Sequence, residues 1–200
     1  MTLDEAAYAV TIADLTPAWM GPSIRPFGAV TSATEMQSLA HHEAGHAVIA
    51  LSLGIRVFHA STLPRYDCGG EVRLAPLSGM TIDKGLLVTL AGPAAQRRYF
   101  PLLRQFDADL DDHMGRFDTE QARTLLSVLH GADHVSSDLI TGELSRWRVR
   151  ADQAVTLQWP WIAAVATALE QRRRLSGDDI AHLNPSAHGQ HTRGRREASA

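Results

Sequence analysis

The sequence predicts a mainly α-helical α+β domain with one small β-hairpin. Three observations carry that expectation. Apolar residues recur at helical spacing in five long stretches. The short segment "IRVFHAST" is rich in β-branched and aromatic residues, and a turn separates it from the short "EVRL". Gly, Pro, Ser and Asp punctuate the joins between these stretches. With 200 residues, 44% of them apolar and 20% charged, the chain holds enough apolar material for one core without covalent staples. The expected domain spans 31–184. A Pro-, Gly- and Thr-rich arm (1–30) precedes it, expected to be partly disordered, and a disordered tail (185–200) follows.

Each element has a local cause. Ser32 and Glu35 stand at capping-box spacing, so a helix should begin there and run to about Leu53, ended by Gly54. "IRVFHAST" and "EVRL" should pair as a hairpin across the turn "LPRYDCGG". "TIDKGLLVTLAGPAAQRRYF" reads as a second helix with Thr81 as N-cap and a bend at Pro93. The stretch 101–117 is an acidic loop, and a third helix runs from near Asp118 to Gly131. A fourth covers about 134–157. Pro160 suits the first turn of a fifth, which should carry "WIAAVATALEQRRR" with Ile162, Val165, Ala166 and Leu169 on one face. Ser176 and Asp179 open a last short element. Trp147, Trp159 and Trp161 are expected in the core or at helix contacts.

Charge and cysteine content narrow the function classes. Net charge is −3, which gives no field for recruiting nucleic acid or an anionic membrane. Arg146, Arg148 and Arg150 read as a solvated face. The single cysteine, Cys68, excludes an internal disulfide and a thiolate metal site, so a reducing, cytoplasmic setting is expected. The N-terminus lacks a basic signal region, and no apolar run approaches the ~18–20 residues of a membrane helix.

The chemistry-bearing stretch is "LAHHEAGHAVIA", residues 39–50. On a helix, His42 and His46 lie one turn apart on one face and can offer two imidazole nitrogens to one metal ion. Glu43 lies about 100° round the helix, flanking the metal where a general base for a bound water belongs. Gly45 in mid-helix costs about 1 kcal/mol relative to Ala, which points to close approach of another segment. A helix that simply carries two core histidines is the plainer alternative. His41 points elsewhere and is expected at the surface or behind the ligands. His59, His113, His130 and His134 are expected at the surface.

A catalytic zinc takes three protein ligands. The spacing leaves several candidates for the third: Asp107, Asp109, Asp111, Asp112, His113 and Asp118. A calcium loop over 107–118 is disfavoured, because Asp112 stands where such loops need glycine.

Beyond these local patterns, "HHEAGHAVIALSL" resembles the start of the peptidase domain of the FtsH-type zinc proteases. "STLPRYDCGGEV" is similar to that family's strand and glycine turn, and "LVTLAGPAAQRRYF" to its "LAGRAAE" helix. "GRFDTEQARTLL" resembles the segment that carries its third zinc ligand, and "WPWIAAVATALEQRRRLSGDDI" its closing helices. The similarity runs in order over about 33–183, with Pro93 and Gln96 replacing an Arg and a Glu of the family helix.

The resemblance implies a helical, zincin-like peptidase domain with His42, His46 and Asp118 as Zn2+ ligands and Glu43 as catalytic base. It implies a metalloendopeptidase that hydrolyses unfolded polypeptides through a zinc-bound water activated by Glu43. The family's ATPase and transmembrane parts have no counterpart in this sequence, so an ATPase partner in trans and a homo-oligomer enter as expectations. Gly69 and Gly70 are expected to let a substrate strand come close. The competing expectation is a zinc-stabilised, non-catalytic adaptor acting on an FtsH-like protease.

Overall fold

A computed structural model describes residues 33–63, 70–75, 81–99, 115–131 and 136–186. The N-terminal arm, the acidic stretch 107–112, Ser32, Gly69 and all of the tail beyond Ser186 lie outside these residues.

Helix α1 spans Ala33–Ser52. It stops where expected, because Gly54 adopts a left-handed φ of 76°, a conformation that glycine enters without steric cost. Strands β1 (Val57–Ser61) and β2 (Glu71–Leu74) form the expected antiparallel hairpin, with Ser61 opposite Glu71 and Ala60 opposite Val72. Helix α2 (Ile82–Tyr99) opens with the Thr81 hydroxyl accepting from the Lys84 N–H at 3.4 Å, and it continues through Pro93. Helix α3 (Arg116–Leu129) begins two residues earlier than expected, which places Asp118 in its first turn. Helix α4 is Ser137–Leu157, capped by the Ser136 side chain. Helix α5 is Trp159–Arg172, with Pro160 in its first turn.

The chain after α5 departs from expectation. The helix ends at Arg172 instead of continuing through Arg174, because Arg173 takes a left-handed φ of 65° and turns the chain. Arg174–Ser176 then pairs antiparallel with β1 as strand β3, giving the sheet order β2-β1-β3. Three residues are too few to show a period of two, so the sequence carries no strand signal there. The last helix, α6 (Gly177–His182), has a complete capping box: the Ser176 hydroxyl accepts from the Asp179 N–H, and the Asp179 carboxylate accepts from the Ser176 N–H.

The core lies around α1 and α2, the most extensively packed pair of elements. On its other sides α1 contacts α5 and the sheet, while α2 carries α3 and α4. Ile49, Leu86, Leu90, Leu126, Ile162 and Leu169 are fully buried in the shared cluster. Trp147 and Trp161 are buried as expected, and the Trp161 indole N–H donates to the Ile180 carbonyl at 2.8 Å, tying α5 to α6. Among the described residues, no helix is long and apolar enough to cross a membrane.

The α1–α2 contact explains the mid-helix glycine. A Cβ on Gly45 would lie 2.5 Å from the Ala91 carbonyl oxygen and 2.7 Å from the Ala95 Cβ. The backbones meet there, and that contact sets α1 against α2 at the level of both motif histidines.

Candidate metal centre

Each side chain of the site is aimed by its helix. His42 and His46 stand one turn apart on α1 and face α2. The His46 Nδ1–H donates to the Val88 carbonyl on α2 at 2.7 Å. A carbonyl can only accept, so the His46 proton is on Nδ1 and Nε2 is turned inward. His42 Nδ1 meets the Gln96 Oε1, also on α2, at 3.1 Å. Gly92 leaves room for the His46 imidazole, which a Cβ at that position would overlap. Helix α3 packs on α2 and delivers Asp118 from the other side.

These three side chains converge. The two Nε2 atoms are 3.0 Å apart. Asp118 places Oδ2 3.1 Å from His42 Nε2 and Oδ1 3.5 Å from His46 Nε2. One ligand atom from each of His42, His46 and Asp118 lies within 4.8 Å of the others, an arrangement that could hold a metal ion. Electron-pair donors aimed at one point repel unless a cation, either a proton or a metal, lies among them.

Without a metal, protons take that role. Burial works against charge on His46, but the Asp118 carboxylate outweighs it, with help from Glu43 and the Val88 carbonyl, and raises its pKa to about 9. Burial likewise opposes the Asp118 charge, but His46 and His42 hold that carboxyl well below the usual carboxylate range. The pH consequence has a definite sign. The folded pKa of His46 stands above its unfolded value, so its contribution to stability is complete below about pH 6.5 and is lost as pH rises through about 9. The thermal midpoint of the metal-free protein is therefore expected to fall across that window. The fall should vanish in Asp118→Asn, which removes the charge that raises the imidazole; differential scanning calorimetry at several pH values checks both.

Glu43 lies beside the cluster and is buried. Burial pushes its carboxyl up, Asp118 and Glu71 push the same way, and His42 and His46 pull it down; the net shift is upward. Gly70, at the head of β2, touches it: a Cβ there would lie 2.5 Å from Glu43 Oε1 and 2.8 Å from the Ser61 carbonyl oxygen. The absence of a side chain at Gly70 thus accommodates Glu43 itself. The structure brings together His42, His46, Asp118, Glu43 and Gly70, while Gly69 falls outside the described residues.

One histidine expectation needs correction, and one is narrowed to the second of its two alternatives, a place away from the surface. His59 is buried and not at the surface: the Arg174 guanidinium donates to its Nδ1 at 3.2 Å, which leaves Nε2–H to donate to Glu71 at 3.0 Å. The unexpected strand β3 is what supplies Arg174. His41 is also buried, stacked on Tyr99 with ring centroids 3.8 Å apart. His130 is exposed as expected, and His113 and His134 lie outside the described residues.

Sequence reasoning missed three contributors: Gln96, the Val88 carbonyl and Gly92. A backbone carbonyl has no sequence signature. For Gly92 a signal existed, because a Gly-Pro pair inside a helix is unfavourable unless something must come close.

In comparisons with known proteins, no family model matches the chain and no curated protein matches it significantly.

Proposed function

We propose that the chain is a zinc-dependent endopeptidase of the FtsH type, acting on unfolded or flexible polypeptides. The observation that carries this reading is the convergence of His42, His46 and Asp118 next to a buried Glu43 whose carboxyl is pushed upward. Two imidazoles and one carboxylate form the donor set of catalytic zinc, whereas structural zinc favours four ligands rich in thiolate. His42, His46 and Asp118 would hold the ion. Zinc in such a site supplies Lewis acidity toward a carbonyl oxygen and makes a water more acidic.

The remaining chemistry belongs to the protein. Glu43 takes a proton from the attacking water as it adds to the scissile carbonyl. It then returns that proton to the departing amine as the C–N bond breaks. Its raised pKa suits both halves of this exchange, because a more basic carboxylate is a better acceptor and its acid form persists long enough to donate. Strand β2 is a sheet edge among the described residues, and Gly70 at its head touches Glu43. A peptide added alongside β2 through main-chain hydrogen bonds would pass the carboxylate with little demand on its side chains. An unfolded substrate meets that requirement, and an ATPase partner in trans could supply one.

The test is cleavage of an unfolded, fluorescently labelled protein by the zinc-loaded chain, by the chain stripped with a chelator, and by the stripped chain after zinc is restored. Cleavage should be lost on stripping and regained on reloading. A zinc-loaded chain that never cleaves, alone or with an ATPase partner, would turn the reading toward the non-catalytic adaptor.

A further inference from the structure

We infer that Gln96 is a positioning residue that fixes His42 as an Nε2 ligand for the metal. The inference rests on the metal reading of the site and not on peptide hydrolysis. A neutral imidazole binds metal only through the nitrogen that lacks the proton, so a ligand histidine must have its tautomer set by something. For His46 the Val88 carbonyl does this. Among the described residues, the partner of the His42 ring in that position is not a backbone carbonyl; its Nδ1 meets a side-chain amide oxygen, Gln96 Oε1, at 3.1 Å. An amide can present either its oxygen or its nitrogen, and the two choices have opposite consequences. With the oxygen toward the ring, His42 carries its proton on Nδ1 and offers Nε2 to the cluster. With the nitrogen toward the ring, the proton moves to Nε2 and the site loses a ligand.

The Ser38 hydroxyl meets the far end of the amide and places the side chain. The Gln96 Nε2–H donates to the Ser38 hydroxyl at 2.6 Å, and both side chains are buried. Ser38 stands one turn before His42 on α1, so a single residue of α2 bridges two successive turns of the motif helix.

The experiment combines zinc affinity with the nitrogen chemical shifts of His42, read in 15N-histidine-labelled, zinc-loaded protein. Wild type should show the proton on Nδ1 and zinc on Nε2. Gln96→Met keeps the length of the side chain and removes the acceptor; it should weaken zinc binding about 10- to 100-fold, the usual cost of losing such a partner, and broaden or split the His42 signals as the ring loses its fixed orientation. Gln96→Glu keeps an acceptor and should bind zinc at least as tightly as wild type. Ser38→Ala leaves Gln96 in place and should give a smaller but measurable loss, which decides the matter if Gln96→Met does not fold. Wild-type affinity in both Gln96→Met and Ser38→Ala, a wild-type His42 protonated on Nε2, or a Gln96→Glu as weak as Gln96→Met overturns the inference. A wild-type chain that binds no zinc overturns it together with the metal reading, whereas the first three outcomes leave that reading intact.

Discussion

Adding zinc to the metal-free protein should raise its thermal midpoint by about 8–16 °C at a free zinc concentration about 1,000 times the dissociation constant. A ligand that binds only the folded state stabilises it by RT ln(1 + [L]/Kd), which is about 4 kcal/mol at that excess. For a chain of 150–250 residues each kcal/mol moves the midpoint by about 2–4 °C. The effect is expected to be large because the three ligands come from two helices that pack independently on α2, so the unfolded chain cannot present them together. His46→Ala and Asp118→Ala should each remove most of the rise. The comparison must be made against each variant's own metal-free midpoint, since Asp118 also pairs with both histidines when no metal is present. A zinc response unchanged in Asp118→Ala would show that α3 contributes no ligand and would leave the ion on α1 alone. Calorimetric titration should give one ion per chain, matching the one cluster found among the described residues.

The three residues of that cluster also mark how far the sequence could be read. His42 and His46 were legible from local geometry, because four residues on a helix is a fixed distance in space whatever the rest of the chain does. Asp118 was not: it stands on another helix, and spacing alone left it level with Asp107, Asp109, Asp111, Asp112 and His113 until the family resemblance singled it out. The fold class and several helix limits were legible because caps and breakers act locally, as with Gly54 after α1, Pro160 at the start of α5 and the Ser176–Asp179 box of α6. What failed were features decided by tertiary contact. Strand β3 exists because Arg173 turns left-handed and delivers three residues to the free side of β1. His59 is buried because that strand brings Arg174 to it. Gln96 looked like a departure from a family pattern, and only the packing of α2 on α1 shows it bridging Ser38 and His42.

Glu43→Gln should abolish measurable peptide cleavage while leaving zinc uptake intact. A positioned general base contributes about 10²- to 10⁴-fold to rate, equivalent to about 3–5 kcal/mol of transition-state stabilisation. Gln is nearly the same shape as Glu and should still fit against Gly70, but its amide oxygen cannot take a proton from water. The loss should therefore appear in kcat, with one zinc still bound, because His42, His46 and Asp118 are untouched. Stability should move the other way. Burial pushes the Glu43 carboxyl up, which means that the fold tolerates its charge poorly. A neutral amide at that position should leave the melting midpoint equal to or above wild type, the usual exchange between stability and function at an active site. Glu43→Asp separates the two effects: it keeps a proton acceptor but withdraws it from Gly70, so cleavage should fall to a value between the wild type and Glu43→Gln. Equal cleavage by wild type and Glu43→Gln would take the base role away from this residue. Loss of zinc from Glu43→Gln would instead make Glu43 a support for the ligands, since a pure proton acceptor has no part in holding the ion.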